Sequence, residues 1–95
     1  MGGWFSAPAE DIPVHVDDKF REAAQENVEY EHCNFEVGKL HSYSNQVVAG
    51  INHRITYKVS SDVCPETLCK SVIWEKPWVT RNGQIFAQVD RFGCK

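Results

Sequence analysis

Four cysteines, Cys33, Cys64, Cys69 and Cys94, are the side chains of this 95-residue chain with the most reactive chemistry, and three uses are open to them. As metal ligands they are badly spaced. There is no C-x₂-C pair, four residues separate Cys64 from Cys69, and His32 beside Cys33 adds one nitrogen only. As nucleophiles they lack the supporting base that activates a thiol, and so short a chain has little room for a cleft. The third use fits: an even number of cysteines in a small domain points to two disulfides and an oxidising compartment. The histidines, His15, His32, His41 and His53, are scattered along the chain. They read as surface or partly buried structural residues without a catalytic role.

A second set of residues suits non-covalent chemistry. Gln46-Val47-Val48-Ala49-Gly50 sits between two strand-like runs, where a hairpin tip is expected. Tips favour Asn, Asp, Gly and Ser, so two branched apolar residues there need burial by something. Ala49 and Gly50, with little or no side chain, would let backbone approach a partner closely. Pro77-Trp78 precedes a second turn at Asn82-Gly83. A tryptophan on a hairpin is a large, rigid anchor tolerant of a wet edge. The adjacent proline stiffens its approach. Trp74 is expected to fold back over its own sheet. The bland alternative for Val47 and Val48 is that they begin the core side of a strand, as apolar residues mostly do.

The elements that must position these groups follow from periodicity. Val16, Phe20, Ala23, Ala24 and Val28 form the stripe of an amphipathic helix over 15–32, with Asp17 and Asp18 at its positive end. Residues 1–14, with two glycines and two prolines, read as an extended, partly mobile arm. From 37 to 95 strand signals dominate. Val37 to Val48 forms a first strand. In the next, Ile51, His53, Ile55, Tyr57 and Val59 line one face. Ser61 to Leu68 reads as a loop, Cys69 to Lys76 as a third strand, and Gly83 to Phe92 as a fourth after a type I′ Asn-Gly turn. The expected fold is α+β, one domain over 1–95, with a single helix packed on an antiparallel sheet of four to five strands. A net charge of −3 without a basic stripe argues against nucleic acid, and no run is long enough to cross a membrane. No N-glycosylation sequon occurs, and the N-terminus has neither the basic nor the apolar region of a signal peptide, so the chain reads as the mature form of a secreted protein.

Hairpin register assigns the cysteines. A two-residue turn at Ala49-Gly50 sets Val48 against Ile51 and brings Cys33 within two residues of facing Cys64. A turn at Asn82-Gly83 sets Arg81 against Gln84 and does the same for Cys69 and Cys94. A bulge absorbs such offsets. The expected bridges are Cys33–Cys64 and Cys69–Cys94, each closing the base of a hairpin and typically worth ~2–4 kcal/mol.

Glycines near the N-terminus, one helix, Gln46-Val47-Val48-Ala49-Gly50 between two strands and Pro77-Trp78 between the next two together resemble the cystatins, inhibitors of papain-like cysteine peptidases. The resemblance spans nearly the whole chain and favours the secreted, disulfide-bearing branch over the cysteine-free stefins. In secreted members the first bridge usually closes within the loop before the Pro-Trp hairpin. Here that loop is short, and Cys33 stands where register lets it replace the missing partner. The resemblance implies a reversible, competitive, non-covalent inhibitor, not an enzyme. Gly2 and Gly3, the Gln46–Gly50 hairpin and Pro77-Trp78 would form a wedge in the active-site cleft of a cathepsin-type peptidase. Family members usually carry apolar residues before the glycine, and only Met1 stands there. A second site for legumain is not expected, because Asn34 lacks the family's sequence context. No metal or cofactor is implied. The active form would be a monomer, with a dimer formed by exchange of helix and first strand as its inactive counterpart. The alternative is a non-inhibitory cystatin-fold module with a binding or antimicrobial role.

Overall fold

The computed structural model describes residues 3–27, 36–60 and 65–94. Gly2, the helix extension through Val28 to His32, Asn34 and the expected Cys33–Cys64 bridge lie outside the described residues.

The helical stripe folds as its spacing requires. Helix α1, Val14–Asn27, begins where the Pro13 carbonyl accepts the Val16 and Asp17 amides. Val16, Phe20 and Ala24 are fully buried and Ala23 nearly so. Phe20 is the keystone: its ring lies 4.9 Å from that of Tyr57 and 5.6 Å from that of Phe92, joining the helix to two strands. Asp17, in the first turn, accepts from the Tyr57 hydroxyl at 2.5 Å and from Arg21 Nε at 2.8 Å.

The sheet has five strands, all antiparallel and in sequence order: β1 Phe5–Ser6, β2 Glu36–Val48, β3 Gly50–Ser60, β4 Thr67–Arg81 and β5 Gln84–Cys94. The arm is more structured than expected. Phe5 pairs with Asn45 and Ser6 with Ser44, the Ala7 amide donates to Tyr43, and a 3₁₀ turn over Ala9–Asp11 leads to the helix. The Arg54 guanidinium 4.3 Å over the Trp4 ring adds a second attachment. Phe5 stays largely exposed, so Trp4, pinned to the body through Arg54, is the arm's aromatic anchor.

Two register details correct the expectation. Val48 pairs with Gly50 and Val47 with Ile51, so the first hairpin turns through Ala49 alone and is one residue tighter. Strand β4 begins two residues before Cys69 and continues past Lys76, through Pro77, to Arg81. The second hairpin closes as expected, with Arg81 against Gln84 and positive φ at both Asn82 (52°) and Gly83 (76°). Cys69 faces Cys94 and is bonded to it. Ile55, Tyr57, Val59, Ile73 and Ala87 carry the sheet side of the core.

Candidate functional site

Strands β4 and β5 lose step beside the second hairpin. Lys76 pairs with Phe86 and Thr80 with Ile85, so Pro77, Trp78 and Val79 have no residue opposite them. Proline has no amide to donate to a ladder, and a bulge is where a strand tolerates it. The bulge turns Trp78 outward, and its side chain is 64% exposed.

The tip of the first hairpin lies at the same end of the sheet. Ile51 pairs with Glu75, two residues before Pro77, so the β2–β3 tip borders the bulge. Val47 and Val48 are 59% and 40% exposed there, which rules out the core-facing alternative. Ala49 and Pro77 are exposed and Gln46 is half-buried. Because β1 runs antiparallel to β2 from Phe5 opposite Asn45, the chain upstream of Phe5 heads towards this end too. Gly3 is exposed, with open space around its Cα. The structure therefore gathers Gly3, the Gln46–Gly50 hairpin and Pro77-Trp78 at one end of the molecule.

Gly50 has a reason internal to the fold. Its φ is 100°, and a Cβ there would lie 2.4 Å from the Glu75 carbonyl oxygen and 2.8 Å from Trp74 Nε1. The one-residue turn thus drives the β3 backbone against β4, and only glycine fits. Trp74 secures the contact by donating from Nε1 to the Ala49 carbonyl at 2.9 Å. Its ring also carries Lys76 Nζ at 4.2 Å. Trp74 does fold over its own sheet, and in doing so it holds the tip.

Beneath the tip lies a polar cluster that sequence reasoning did not find. Glu75 is 4% exposed and His53 2%. His53 Nε2 is 2.9 Å from Glu75 Oε1, and its Nδ1 is 2.8 Å from the Tyr43 hydroxyl. His15 Nε2, from the first turn of α1, meets Glu75 Oε2. One proton arrangement satisfies every contact: the two Nε2–H groups donate to the carboxylate, and Tyr43 donates to the neutral Nδ1 of His53. Burial pushes His53 below the ordinary histidine range, against the opposing pull of the Glu75 carboxylate. Burial likewise raises the Tyr43 phenol. The cluster ties α1, β2, β3 and β4 together directly under the hairpin. A signal for it exists in the sequence: if Ile73 faces the core, Glu75 two residues on must do so as well, and a buried carboxylate requires partners. Among the described residues no group of three or more His, Cys, Asp or Glu side chains is arranged to hold a metal ion.

The model of the cystatin domain matches residues 12–90 of this chain. The chain belongs to the cystatin family. This cystatin is 25% identical over 100 residues to L-cystatin of Tachypleus tridentatus, a match covering 85% of the chain and 75% of that relative. Its fold resembles the crystal structure of a salivary cystatin from the soft tick Ornithodoros moubata, with a TM-score of 0.70 at 21% identity, covering 100% of this chain and 98% of that one. The crystal structure of Al-CPI is similarly close, with a TM-score of 0.66 at 19% identity over 99% and 100% of the two chains. At these identities the structural likeness shows the fold: one helix on a five-stranded antiparallel sheet.

Proposed function

We infer that this cystatin is a reversible, competitive, non-covalent inhibitor of papain-like cysteine peptidases of the cathepsin type. One observation carries the reading: Val47, Val48 and Trp78, three of the exposed hydrophobic side chains among the described residues, converge at one end of the sheet. Burying a valine fully in a partner contributes roughly 1.5–3 kcal/mol, and a tryptophan anchor contributes more. Preorganisation adds to this. The tip is held by Trp74 and Gly50, and the bulge by its proline, so little order is lost on docking. Gly2 and Gly3 complete the wedge as a pliable arm lying along the cleft. The wedge offers no nucleophile, and the partner's thiol need not react with it. The inhibitor acts as a secreted monomer; exchange of helix and first strand between two copies would consume the tip and abolish inhibition.

Titration of papain and of one cathepsin tests the proposal. Inhibition without cleavage of the inhibitor is expected, and binding persists when the peptidase thiol carries a small blocking group. Trp78→Ala weakens inhibition at least ten-fold while the melting temperature stays within about 2 °C of the parent, because Trp78 is largely exposed. An oxidised monomer that fails to inhibit either peptidase refutes the reading.

A further inference from the structure

The face of the sheet away from the helix is built differently from the rest of the molecule. Ile55, Tyr57 and Val59 of β3 and Cys69, Ser71 and Ile73 of β4 point to the helix and are buried. The alternate positions carry Arg54, Thr56, Lys70 and Val72, and they line a shallow groove of ≈ 810 Å³. Arg54 pairs across the sheet with Val72, and Val72 with Arg91, so two guanidinium-bearing positions share one rung. With strands ~4.8 Å apart, their Cα atoms are about 10 Å from each other. Lys70, two residues from Val72 on the central strand, lies about 7 Å along. Arg91 is at the rim, on the edge strand.

Among the described residues no aspartate or glutamate lines this groove, although the chain has 13 of them and a net charge of −3. The acids concentrate elsewhere: Glu10 and Asp11 in the 3₁₀ turn, and Asp17, Asp18, Glu22 and Glu26 on the helix. Among the described residues, Arg54, Lys70 and Arg91 form no salt bridge, whereas Lys58 at the end of the face has Glu66 at 3.9 Å. Among the described residues the helix side thus mixes acids with Lys19 and Arg21, and Arg91 with its neighbour Asp90 also borders that side, whereas the groove on the opposite face is lined by cations alone among its charged groups.

We propose that this face binds a sulfated polysaccharide, with the charges of Arg54, Lys70 and Arg91 meeting successive sulfates. The groove crosses the central strands, whose amides and carbonyls are already used in the ladders, so an incoming peptide could not add itself as a strand. What remains is side-chain chemistry: cations for anionic groups, the exposed Ser42 hydroxyl for sugar hydroxyls, and, at the margin, the face of the Trp4 ring that Arg54 does not cover for an apolar sugar face. An extended polyanion carries charges along its length to meet Lys70, Arg91 and Arg54, the last already turned towards the arm by its Nε bond to the Ser44 hydroxyl and its stack on Trp4, and the attraction is screened by salt. The groove lies on the sheet's face and the apolar wedge at its end, so the two can be occupied independently.

Heparin-agarose retention and solution titration with heparin test the proposal on the full chain. The parent is retained at 0.15 M NaCl. Lys70→Gln/Arg91→Gln loses about ten-fold in affinity, as expected when two counterion-releasing cations are removed. It still inhibits papain as the parent does, which certifies its fold. Lys19→Gln on the helix loses the same formal charge per site and binds heparin as the parent does. Desulfated heparin fails to compete. The proposal is overturned by failure to retain the parent at that salt, by equal retention of the double variant, or by poly-glutamate competing as well as heparin at equal charge.

Discussion

Replacing Gly50 with alanine separates two explanations for the small residues at the hairpin tip. If glycine is there to let the peptidase approach, Gly50→Ala folds normally and inhibits poorly. The structure assigns it a role inside the fold, and the cost follows from two contributions. An alanine at φ 100° occupies a region that L-residues avoid, at a cost of about 1–3 kcal/mol. Its Cβ would stand 2.4 Å from the Glu75 carbonyl oxygen, and ordinary contact begins at 3.4 Å. Strands β3 and β4 must therefore separate by about 1 Å at this point, in an interior that yields little. That movement breaks the Trp74–Ala49 hydrogen bond, adding about 0.5–1.5 kcal/mol. Together these predict a loss of ~2–4 kcal/mol, which for a domain of this size lowers the melting temperature by about 10–30 °C. Thermal melts followed by circular dichroism measure this, alongside papain titration at a temperature where the variant remains folded. A melting temperature within about 3 °C of the parent refutes the internal role and returns Gly50 to the interface.

Two further outcomes follow from the groups around the tip. Trp74→Phe keeps most of the ring but not the indole N–H; it is expected to destabilise by about 1 kcal/mol and to weaken papain inhibition several-fold, read by chemical denaturation and by titration, with unchanged inhibition counting against a supporting role for Trp74. His53, held below its ordinary range by burial among Glu75, His15 and Tyr43, binds fewer protons folded than unfolded as pH falls through about 6.5. Stability therefore declines on acidification from pH 7.5 to 5.5, and His53→Gln shows a smaller decline, measured as urea midpoints at the two pH values; equal declines would contradict this.

The parts of this fold legible in the sequence are those governed by local periodicity and turn chemistry. The stripe of Val16, Phe20 and Ala24 needs only helical spacing to be read, and Asn82-Gly83 needs only the requirement for positive φ. Pairing Cys69 with Cys94 followed, because that hairpin's tip sets the register to within two residues and the bulges along β4 and β5 absorb the rest. The first tip was misplaced by one residue, since Ala49-Gly50 looks like an ordinary two-residue turn. What tightens it is Trp74 and the Glu75 carbonyl on the next hairpin, a contact no local pattern announces. The site shows the same division. Val47, Val48 and Trp78 were recognisable as apolar residues in the wrong place. Their support was not: His15, His53 and Glu75 are 22 to 60 residues apart and meet only when helix and sheet close on each other. The strand at Phe5–Ser6 was hidden for a related reason, as two residues carry too little pattern to distinguish a strand from a tail.

That two-residue strand has a consequence for how copies of the molecule behave towards each other. Among the described residues it covers the outer edge of β2 beside the hairpin, at Ser44 and Asn45, with the Ala7 amide on Tyr43 extending the cover by one bond. Proteolytic trimming beyond Ser6 would strip this cover and leave a run of unsatisfied amides and carbonyls next to two exposed valines. Such an edge is a template for another strand. Loss of the arm would then leave a surface prone to stacking on its own kind, so the N-terminus guards the sheet edge against aggregation.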